Sequence, residues 1–193
     1  MQQLTSSLKC IYSNATSLVN KWDEFKALVF LHKADIALIT ETWFNESCPT
    51  NVEGYARYSL NRSEGRGGGV VIYVKDCFES FEVKIGDLTT SIEHVWCTIK
   101  VKSFKLLVGC LYRPPWSDRS TNVSINEAID AAASLVSENA YDNILIAGDF
   151  NYPDINWASE GGSFKGKGRP SSIDFVDIIN RNHLTQFVLE PTF

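Results

Sequence analysis

Apolar and polar positions along the 193 residues repeat with two different periods, which predicts a mixture of strands and helices. Short apolar stretches bounded by Gly, Asp, Ser or Pro predict strands. These stretches are Leu8–Ser13, Ala34–Thr40, Val70–Val74, Ser80–Ile85, His94–Val101, Lys105–Leu111 and Asn143–Ala147. Apolar residues at helical spacing predict helices over Thr16–Lys33, Ser124–Asn139 and Pro170–Asn182. Ser124 and Glu127 stand at capping-box spacing, which predicts the start of the second helix.

The order of these elements favours one particular architecture. The chain opens with strand, helix, strand and then passes into a meander whose gaps are too short for crossover helices, so the meander strands should be antiparallel. Strands with helices near both ends of the chain predict an α/β sandwich in which helices cover the sheet faces. The length predicts a single domain over residues 1–193. The segment Glu160–Arg169 contains glycine and lysine and predicts an exposed loop.

Composition narrows the function classes. A formal net charge of −5 argues against a protein held to nucleic acid mainly by bulk positive charge, although not against an enzyme that meets phosphate through a metal ion. The five scattered cysteines contain no C-x-x-C pair, so neither a zinc cluster nor a disulfide framework is expected. Neither a signal peptide nor a membrane-length apolar run is recognisable, which predicts an intracellular protein, nuclear or cytoplasmic and not secreted.

Two apolar strands are each followed closely by an acid. Glu41 follows IALIT, and Asp149 follows NILIAG. Ligands of α/β sheets gather beyond the carboxyl ends of strands, so both carboxylates would meet at one rim if the strands run the same way. The alternative is that each acid only caps or turns the chain as it leaves the core.

The residue types around these acids suit phosphate chemistry. The Glu41 carboxylate is a hard oxygen ligand of the kind that magnesium or manganese takes. Asp149 can orient a water, while the Asn151 amide can donate to charge that develops on a phosphate.

Three further polar residues are candidates for the same rim, each with an ordinary alternative. Asn14 ends the first strand and also suits a helix cap. Tyr112 and Arg113 end a meander strand and can donate to a phosphate. The sequence favours the ordinary alternatives for these two, a half-buried sheet position for Tyr112 and a solvated surface charge for Arg113.

Five motifs occur in a fixed order: SNATSL, ITETW, RGGGVVIYV, YRPP and GDFNYPDINW. Together they resemble the endonuclease/exonuclease/phosphatase superfamily, and within it the apurinic-endonuclease-like domain of non-LTR (LINE-type) retrotransposons of the chicken-repeat and jockey kind. The resemblance spans roughly residues 8–193. It implies a four-layer α/β sandwich, built from two mostly antiparallel sheets flanked by helices, that cleaves phosphodiester bonds with Mg²⁺ or Mn²⁺.

Carried over by position, the resemblance assigns a role to each candidate. It implies that Glu41 is the metal ligand and Asn14 a polar residue of the rim. Tyr112 becomes a phosphate contact, Asp149 the residue that orients the attacking water, and Asn151 a donor to the transition state. The implied task is nicking of target DNA so that its 3′ end primes reverse transcription.

One part of the family pattern is not found. The resemblance implies a later strand with an aspartate and then a Ser-Asp-His motif, whereas this sequence stops at LTQFVLEPTF. A domain incomplete at its C-terminus, lacking its last strands and impaired in activity, is therefore expected. His32, His94 and His183 do not fit the missing role and read as ordinary structural or surface residues.

Two other functions remain open at this point. A phosphatase or phospholipase of the same superfamily is the nearest enzymatic alternative, and a non-catalytic retroelement remnant is the other. For the endonuclease, the expected partners are DNA and a reverse transcriptase domain encoded downstream, without a membrane, and the domain is expected to be a monomer. Candidate basic contacts to DNA, each equally suited to solvent, are Arg62, Arg66, Arg113, Arg119, Lys165, Lys167 and Arg169.

Overall fold

β-branched and aromatic stretches form two four-stranded sheets in a computed structural model of the chain, which describes residues 7–45, 47–62, 65, 67–86, 92–158 and 162–188. The strands are β1 (Cys10–Asn14), β2 (Ile36–Thr40), β3 (Tyr55–Leu60), β4 (Val70–Lys75), β5 (Glu79–Val83), β6 (Glu93–Val101), β7 (Phe104–Tyr112) and β8 (Asn143–Asp149). The helices are α1 (Trp22–Leu31), α2 (Arg119–Ser137) and α3 (Pro170–Arg181), and a short hairpin pairs β9 (Ile155–Asn156) with β10 (Ser163–Phe164). The predicted mixed α/β class is confirmed.

Most neighbouring strands run antiparallel. The first sheet has the order β1-β2-β4-β3 and the second the order β5-β6-β7-β8. Among the strands that the structure describes, only the β1–β2 and β7–β8 pairs are parallel. The expected antiparallel meander is confirmed for β5, β6 and β7.

The described chain divides into two compact units. The first comprises Met1–Lys84, Glu93–Tyr112 and Tyr141–Asp149, and so holds both four-stranded sheets and α1. The second comprises Ile85–Ile92, Arg113–Ala140 and Phe150–Phe193, with α2, α3 and the short hairpin. A single domain over residues 1–193 stays a prediction.

Alternation along the strands of the first unit builds its core. One face of β2 and β4 packs against one face of β6 and β7, through a cluster that includes Leu38, Ile72, Cys97 and Cys110. The opposite face of β2 and β4 packs against α1, which contributes Trp22, Phe25 and Val29. All five residues of β2 are buried because both faces of this strand are covered.

Two predicted helix starts are wrong. Helix α1 begins at Trp22 and not at Thr16, because Thr16 and Ser17 have φ angles of +42° and +84° and their segment bonds to the chain beyond β2. Helix α2 begins at Arg119 and not at Ser124, since the Asp118 carboxylate accepts from the Thr121 N–H at 2.8 Å and caps the helix earlier.

Three other differences from the sequence predictions concern strands. β3 was not predicted and lies at an edge of its sheet with its side chains partly exposed. β8 was predicted to end at Ala147 but continues to Asp149, and it is half-buried because it too is an edge strand in the described sheet. In the predicted loop Glu160–Arg169, residues 163–164 form β10, while Glu160 and Gly161 lie outside the described residues.

Candidate active site

Glu41 leaves β2 in a backbone conformation that few residues adopt. Its φ is +54°, and that of Trp43 is +55°. Backbone bonds hold this turn on two sides: the Ser17 N–H donates to the Glu41 carbonyl at 2.8 Å, and the Trp43 N–H donates to the Gly68 carbonyl at 3.0 Å. These bonds therefore fix the position of the Glu41 backbone, from which its carboxylate extends.

Three side chains donate to the Glu41 carboxylate. Its Oε1 accepts from Asn14 Nδ2 at 3.3 Å and from the Tyr112 hydroxyl at 2.9 Å. Its Oε2 accepts from Trp43 Nε1 at 3.2 Å. Trp43 was not predicted as a site residue, and its only signal was its place two residues beyond the acid in ETW.

Asn14 bridges the two predicted acids. Its Nδ2 also donates to Asp149 Oδ2 at 2.8 Å, while its Oδ1 accepts from the Thr16 N–H at 3.0 Å. The helix-cap alternative for Asn14 is wrong, because the residue that precedes α1 as its cap is Lys21. A neutral amide between two carboxylates satisfies both without adding charge.

Tyr112 closes the cluster from the second sheet. In β7 it pairs with Glu93 on one side and with Asp149 on the other. Burial, together with the hydrogen bond to Glu41 and the negative charges of Glu41 and Asp149, raises the pKa of the Tyr112 hydroxyl above its usual value. The hydroxyl is therefore protonated at neutral pH and acts as a hydrogen-bond donor.

Four of the five predicted site residues thus meet within the first unit: Asn14, Glu41, Tyr112 and Asp149. Asp149 is the last residue of β8 and not a residue beyond it. The convergence of the two acids, predicted from the strand-then-acid pattern, is present in the structure.

Asn151, the fifth predicted residue, belongs to the second unit. Its φ is +49°, and its Nδ2 donates to the Arg113 carbonyl at 2.8 Å. Arg113 in turn donates from Nη1 to the carbonyls of Phe150 (3.2 Å) and Asn151 (2.9 Å). This exchange fixes the backbone of the GDFN segment from residue 150 onwards.

Arg113 is not the solvated surface charge that the sequence favoured. It is 5% exposed, its Nε donates to Asn122 Oδ1 at 2.7 Å, and its guanidinium lies 4.1 Å from the centre of the Tyr152 ring. The expectation was wrong because three acceptors and an aromatic face replace the water that the guanidinium loses.

The other candidate basic residues differ in environment. Arg62 pairs with Glu93. Arg66 lies outside the described residues. Exposed side chains are those of Arg119, Lys165, Lys167 and Arg169.

The two acids of the cluster are contacted by the Asn14 amide, the Tyr112 phenol and the Trp43 indole. Within the described ranges no group of three or more His, Cys, Asp and Glu residues is placed to hold a metal ion. Two carboxylates do suit Mg²⁺ or Mn²⁺, which are commonly held by one or two carboxylates plus water and substrate phosphate. Glu41 and Asp149 therefore fit such an ion.

The three histidines have ordinary structural places. His32 ends α1, and His183 follows α3 with a φ of +53°. His94 lies on the face of β6 opposite to Glu93, where its Nδ1 accepts from Trp96 Nε1 at 2.7 Å. Burial lowers the pKa of His94, which agrees with a neutral imidazole as acceptor.

None of the described helices is both long enough and apolar enough to cross a membrane.

Comparison with solved structures gives the fold its context. The endonuclease domain of TRAS1, a telomere-specific non-LTR retrotransposon, superposes with a TM-score of 0.65 at 16% identity, over 97% of this chain and 77% of that one. An apurinic endonuclease from Leishmania major gives 0.66 at 17% identity, over 91% and 66%. TDP2 from D. rerio, complexed with a single-strand DNA product, gives 0.54 at 13% identity, over 93% and 66%. At these identities the likeness shows the fold.

Sequence comparison supplies the family. Among curated proteins, none matches the chain at a significant level. The profile of the Endonuclease/Exonuclease/phosphatase family, in contrast, matches residues 13–186, and this range includes all five predicted site residues. The chain belongs to the endonuclease/exonuclease/phosphatase family.

Proposed function

We propose that the chain is the endonuclease domain of a non-LTR retrotransposon, which nicks target DNA with the help of a divalent metal ion. The observation that carries this proposal is the cluster in which the Asn14 amide bonds to both Glu41 and Asp149 while the Tyr112 hydroxyl bonds to Glu41. Carboxylates held together at the ends of strands from two sheets suit a metal-assisted attack on a phosphodiester.

DNA as the substrate is supported by the similar structures. They include a retrotransposon endonuclease domain, an apurinic endonuclease and a complex with single-stranded DNA. The RGGGVVIYV and YRPP motifs favour the retrotransposon group over a phosphatase or phospholipase. Further parts of the proposal are a monomer, a nuclear or cytoplasmic location and a reverse transcriptase encoded downstream in the intact element.

Mg²⁺ is the proposed ion, with Mn²⁺ as a substitute, and the Glu41 carboxylate would hold it. When bound, the ion neutralises negative charge that develops on the phosphate. Trp43 and Tyr112 donate to opposite oxygens of Glu41 and so fix the orientation of the carboxylate.

The remaining steps belong to side chains of the chain itself. Asp149 accepts a hydrogen bond from the attacking water and so orients it. The Tyr112 hydroxyl, whose pKa is raised, keeps its single proton; it donates to Glu41 in this structure and would turn to a phosphate oxygen when DNA binds. Asn14 holds the two carboxylates at a fixed separation, and Asn151 donates to the phosphate in the transition state.

The chain spans 77% of the retrotransposon domain and 66% of the apurinic endonuclease with which it superposes.

Nicking of supercoiled plasmid in the presence of Mg²⁺ tests the proposal. Glu41→Gln and Asp149→Asn should each lower the rate by about 10²-fold or more. The matched controls are Asp35→Asn and Asp142→Asn, because these acids stand just before the same two strands, β2 and β8, at the opposite ends. Both controls should nick like the wild type.

Two results would refute the proposal. One is equal nicking by the site variants and their controls. The other is a wild-type chain that neither nicks DNA nor shows a Mg²⁺-dependent increase in melting temperature that Glu41→Gln removes, and this result would favour a non-catalytic remnant.

A further inference from the structure

A buried acid outside the four-residue cluster joins the two sheets of the first unit. Glu93 opens β6 in the second sheet and is 8% exposed, while Arg62 follows β3 in the first sheet. Arg62 donates to Glu93 Oε1 from Nε at 2.7 Å and from Nη2 at 2.5 Å. Glu93 Oε2 accepts from the Gly69 N–H. Both oxygens of this carboxylate are therefore used.

The glycine run lies directly against this ion pair. A Cβ built on Gly68 would stand 2.4 Å from Glu93 Oε2 and 2.5 Å from Arg62 Nε, and Gly68 has a φ of +70°. Only glycine combines this conformation with so close an approach. Gly68 and Gly69 thus place backbone against the Glu93 carboxylate.

One route from Glu93 to the site runs through this glycine backbone. The Gly69 carbonyl accepts from the Thr42 N–H at 3.2 Å, and the Gly68 carbonyl accepts from the Trp43 N–H at 3.0 Å. Trp43 Nε1 then donates to Glu41 Oε2 at 3.2 Å. Glu93 therefore fixes the Gly68–Gly69 backbone, to which the Glu41 turn is hydrogen-bonded through Thr42 and Trp43.

A second route runs along the neighbouring strand. Glu93 pairs with Tyr112 across β6 and β7, and the Tyr112 hydroxyl donates to Glu41 Oε1 at 2.9 Å. The two routes end on the two oxygens of one carboxylate. A shift of Glu93 would therefore move Trp43 and Tyr112, the two side chains other than Asn14 that donate to Glu41.

We infer that Glu93, held by Arg62, is a positioning residue that sets the orientation of the Glu41 carboxylate. This inference rests on the proposed function and goes beyond it, because it assigns a role to a residue outside Asn14, Glu41, Tyr112 and Asp149. Loss of the Glu93 charge should weaken binding of the divalent ion and lower kcat, with little effect on the KM for DNA.

Glu93→Gln is the test variant, and Asp35→Asn is its matched control. Asp35 is also a partly buried carboxylate that accepts a backbone N–H (Lys9, 3.0 Å) and pairs with a basic side chain (Lys75, 3.7 Å). It precedes β2, whereas Glu41 follows β2, so its contacts lie at the other end of that strand. The Asp35 pair is longer and more exposed than the Glu93 pair, so Asp35→Asn shows what loss of a paired carboxylate at the far end of β2 does to the site, and Glu93→Gln should lose more stability.

Two readouts separate positioning from folding. The Mg²⁺ dependence of the melting temperature should report an apparent affinity about 10–100-fold weaker in Glu93→Gln, because outer partners of a metal ligand typically have effects of this size. The kcat for plasmid nicking should fall by a similar factor, about 10–100-fold, at saturating DNA. Arg62→Gln, which leaves Glu93 in place, should show a smaller loss in the same direction. Asp35→Asn should match the wild type in both measurements.

The outcomes distinguish this inference from the proposed function. If Glu41→Gln abolishes nicking but Glu93→Gln behaves like Asp35→Asn, the inference is overturned and the proposed function stands. If Glu41→Gln leaves nicking unchanged, the proposed function fails. Crystal structures then decide the inference alone: loss of the Tyr112–Glu41 contact in Glu93→Gln, but not in Asp35→Asn, supports positioning, and its persistence in both overturns it.

Discussion

Substituting aspartate for Asn14 would place a third carboxylate between the two that the amide now joins. The Asn14 Nδ2 atom lies 3.3 Å from Glu41 Oε1 and 2.8 Å from Asp149 Oδ2. Aspartate has nearly the same shape as asparagine but offers no N–H, so two attractive contacts become two repulsive ones.

The size of the effect follows from these distances. Two like charges about 4 Å apart near a protein surface repel by about 4 kcal/mol. The new carboxyl escapes this repulsion by taking up a proton, which at pH 7 costs about 4 kcal/mol for a group with a usual pKa near 4. Because the side chains also relax, we expect Asn14→Asp to lower the free energy of unfolding by about 2–4 kcal/mol at pH 7.

The loss should depend on pH with a definite sign. The two neighbouring carboxylates raise the pKa of the introduced carboxyl in the folded state above its unfolded value. The destabilisation relative to wild type should therefore be small below about pH 4 and grow as the pH rises towards the folded pKa. Urea denaturation with EDTA present, followed by fluorescence from about pH 4 to pH 7.5, measures this.

Asn182→Asp is the matched control. Asn182 Nδ2 also donates to a carboxylate, Asp130 Oδ1, at 2.8 Å, but Arg181 pairs with the same oxygen at 2.9 Å and the site is solvated. The control should lose about 1 kcal/mol or less. Equal losses in the two variants, or a loss in Asn14→Asp that does not change with pH, would refute the bridging role assigned to Asn14.

Three other perturbations have defined outcomes. Gly148→Ala should lower the free energy of unfolding by about 2 kcal/mol or more in urea titrations, because its Cβ would stand 2.1 Å from the Leu111 carbonyl oxygen. A variant as stable as the wild type would contradict the β7–β8 pairing at this point. Arg113→Lys should lower it by about 2–4 kcal/mol, because lysine cannot reproduce the forked contacts of the buried guanidinium, whereas a surface charge would show no change. The free energy of unfolding of the wild type should fall as the pH rises past about 10, because burial raises the folded-state pKa values of Tyr73 and Tyr112. Tyr73→Phe should make this fall shallower, and an unchanged alkaline slope in that variant would contradict the assignment.

Local sequence pattern was sufficient for most of the fold and for the ends of the strands. Apolar runs bounded by turn residues located seven of the eight sheet strands, and the acids Glu41 and Asp149 were found because each follows such a run. β3 was missed because its sequence, YARYSL, mixes polar and apolar residues, as an edge strand permits. The predicted start of α1 was too early because Ser17 and Leu18 bond to Glu41 and Thr42, beyond β2, and do not enter the helix.

The contacts within the site depend on packing between sheets and so could not be read from the sequence. Nothing local indicates that Asn14 bonds to Asp149, 135 positions later. For Glu93 a signal did exist: it shares a strand face with Val95, Cys97 and Ile99, which are all buried in the core. An acid in an apolar alternating series is costly unless it is paired, so it indicates a partner such as Arg62.

The site depends on the register between the two sheets because each sheet supplies half of it. Glu41 extends from β2 in one sheet, and Tyr112 ends β7 in the other. Two residues before each of them, the Cys110 thiol contacts the Ile39 carbonyl at 3.5 Å, so the buried core fixes the sheets immediately beneath the site. Hydrogen bonds weaken over a few tenths of an ångström, and contacts of 2.8–3.3 Å leave little room for one sheet to slide on the other. The Glu93–Arg62 pair adds a polar link between the two sheets at the same rim, because Glu93 pairs with Tyr112 across β6 and β7 and bonds to Arg62 beyond β3.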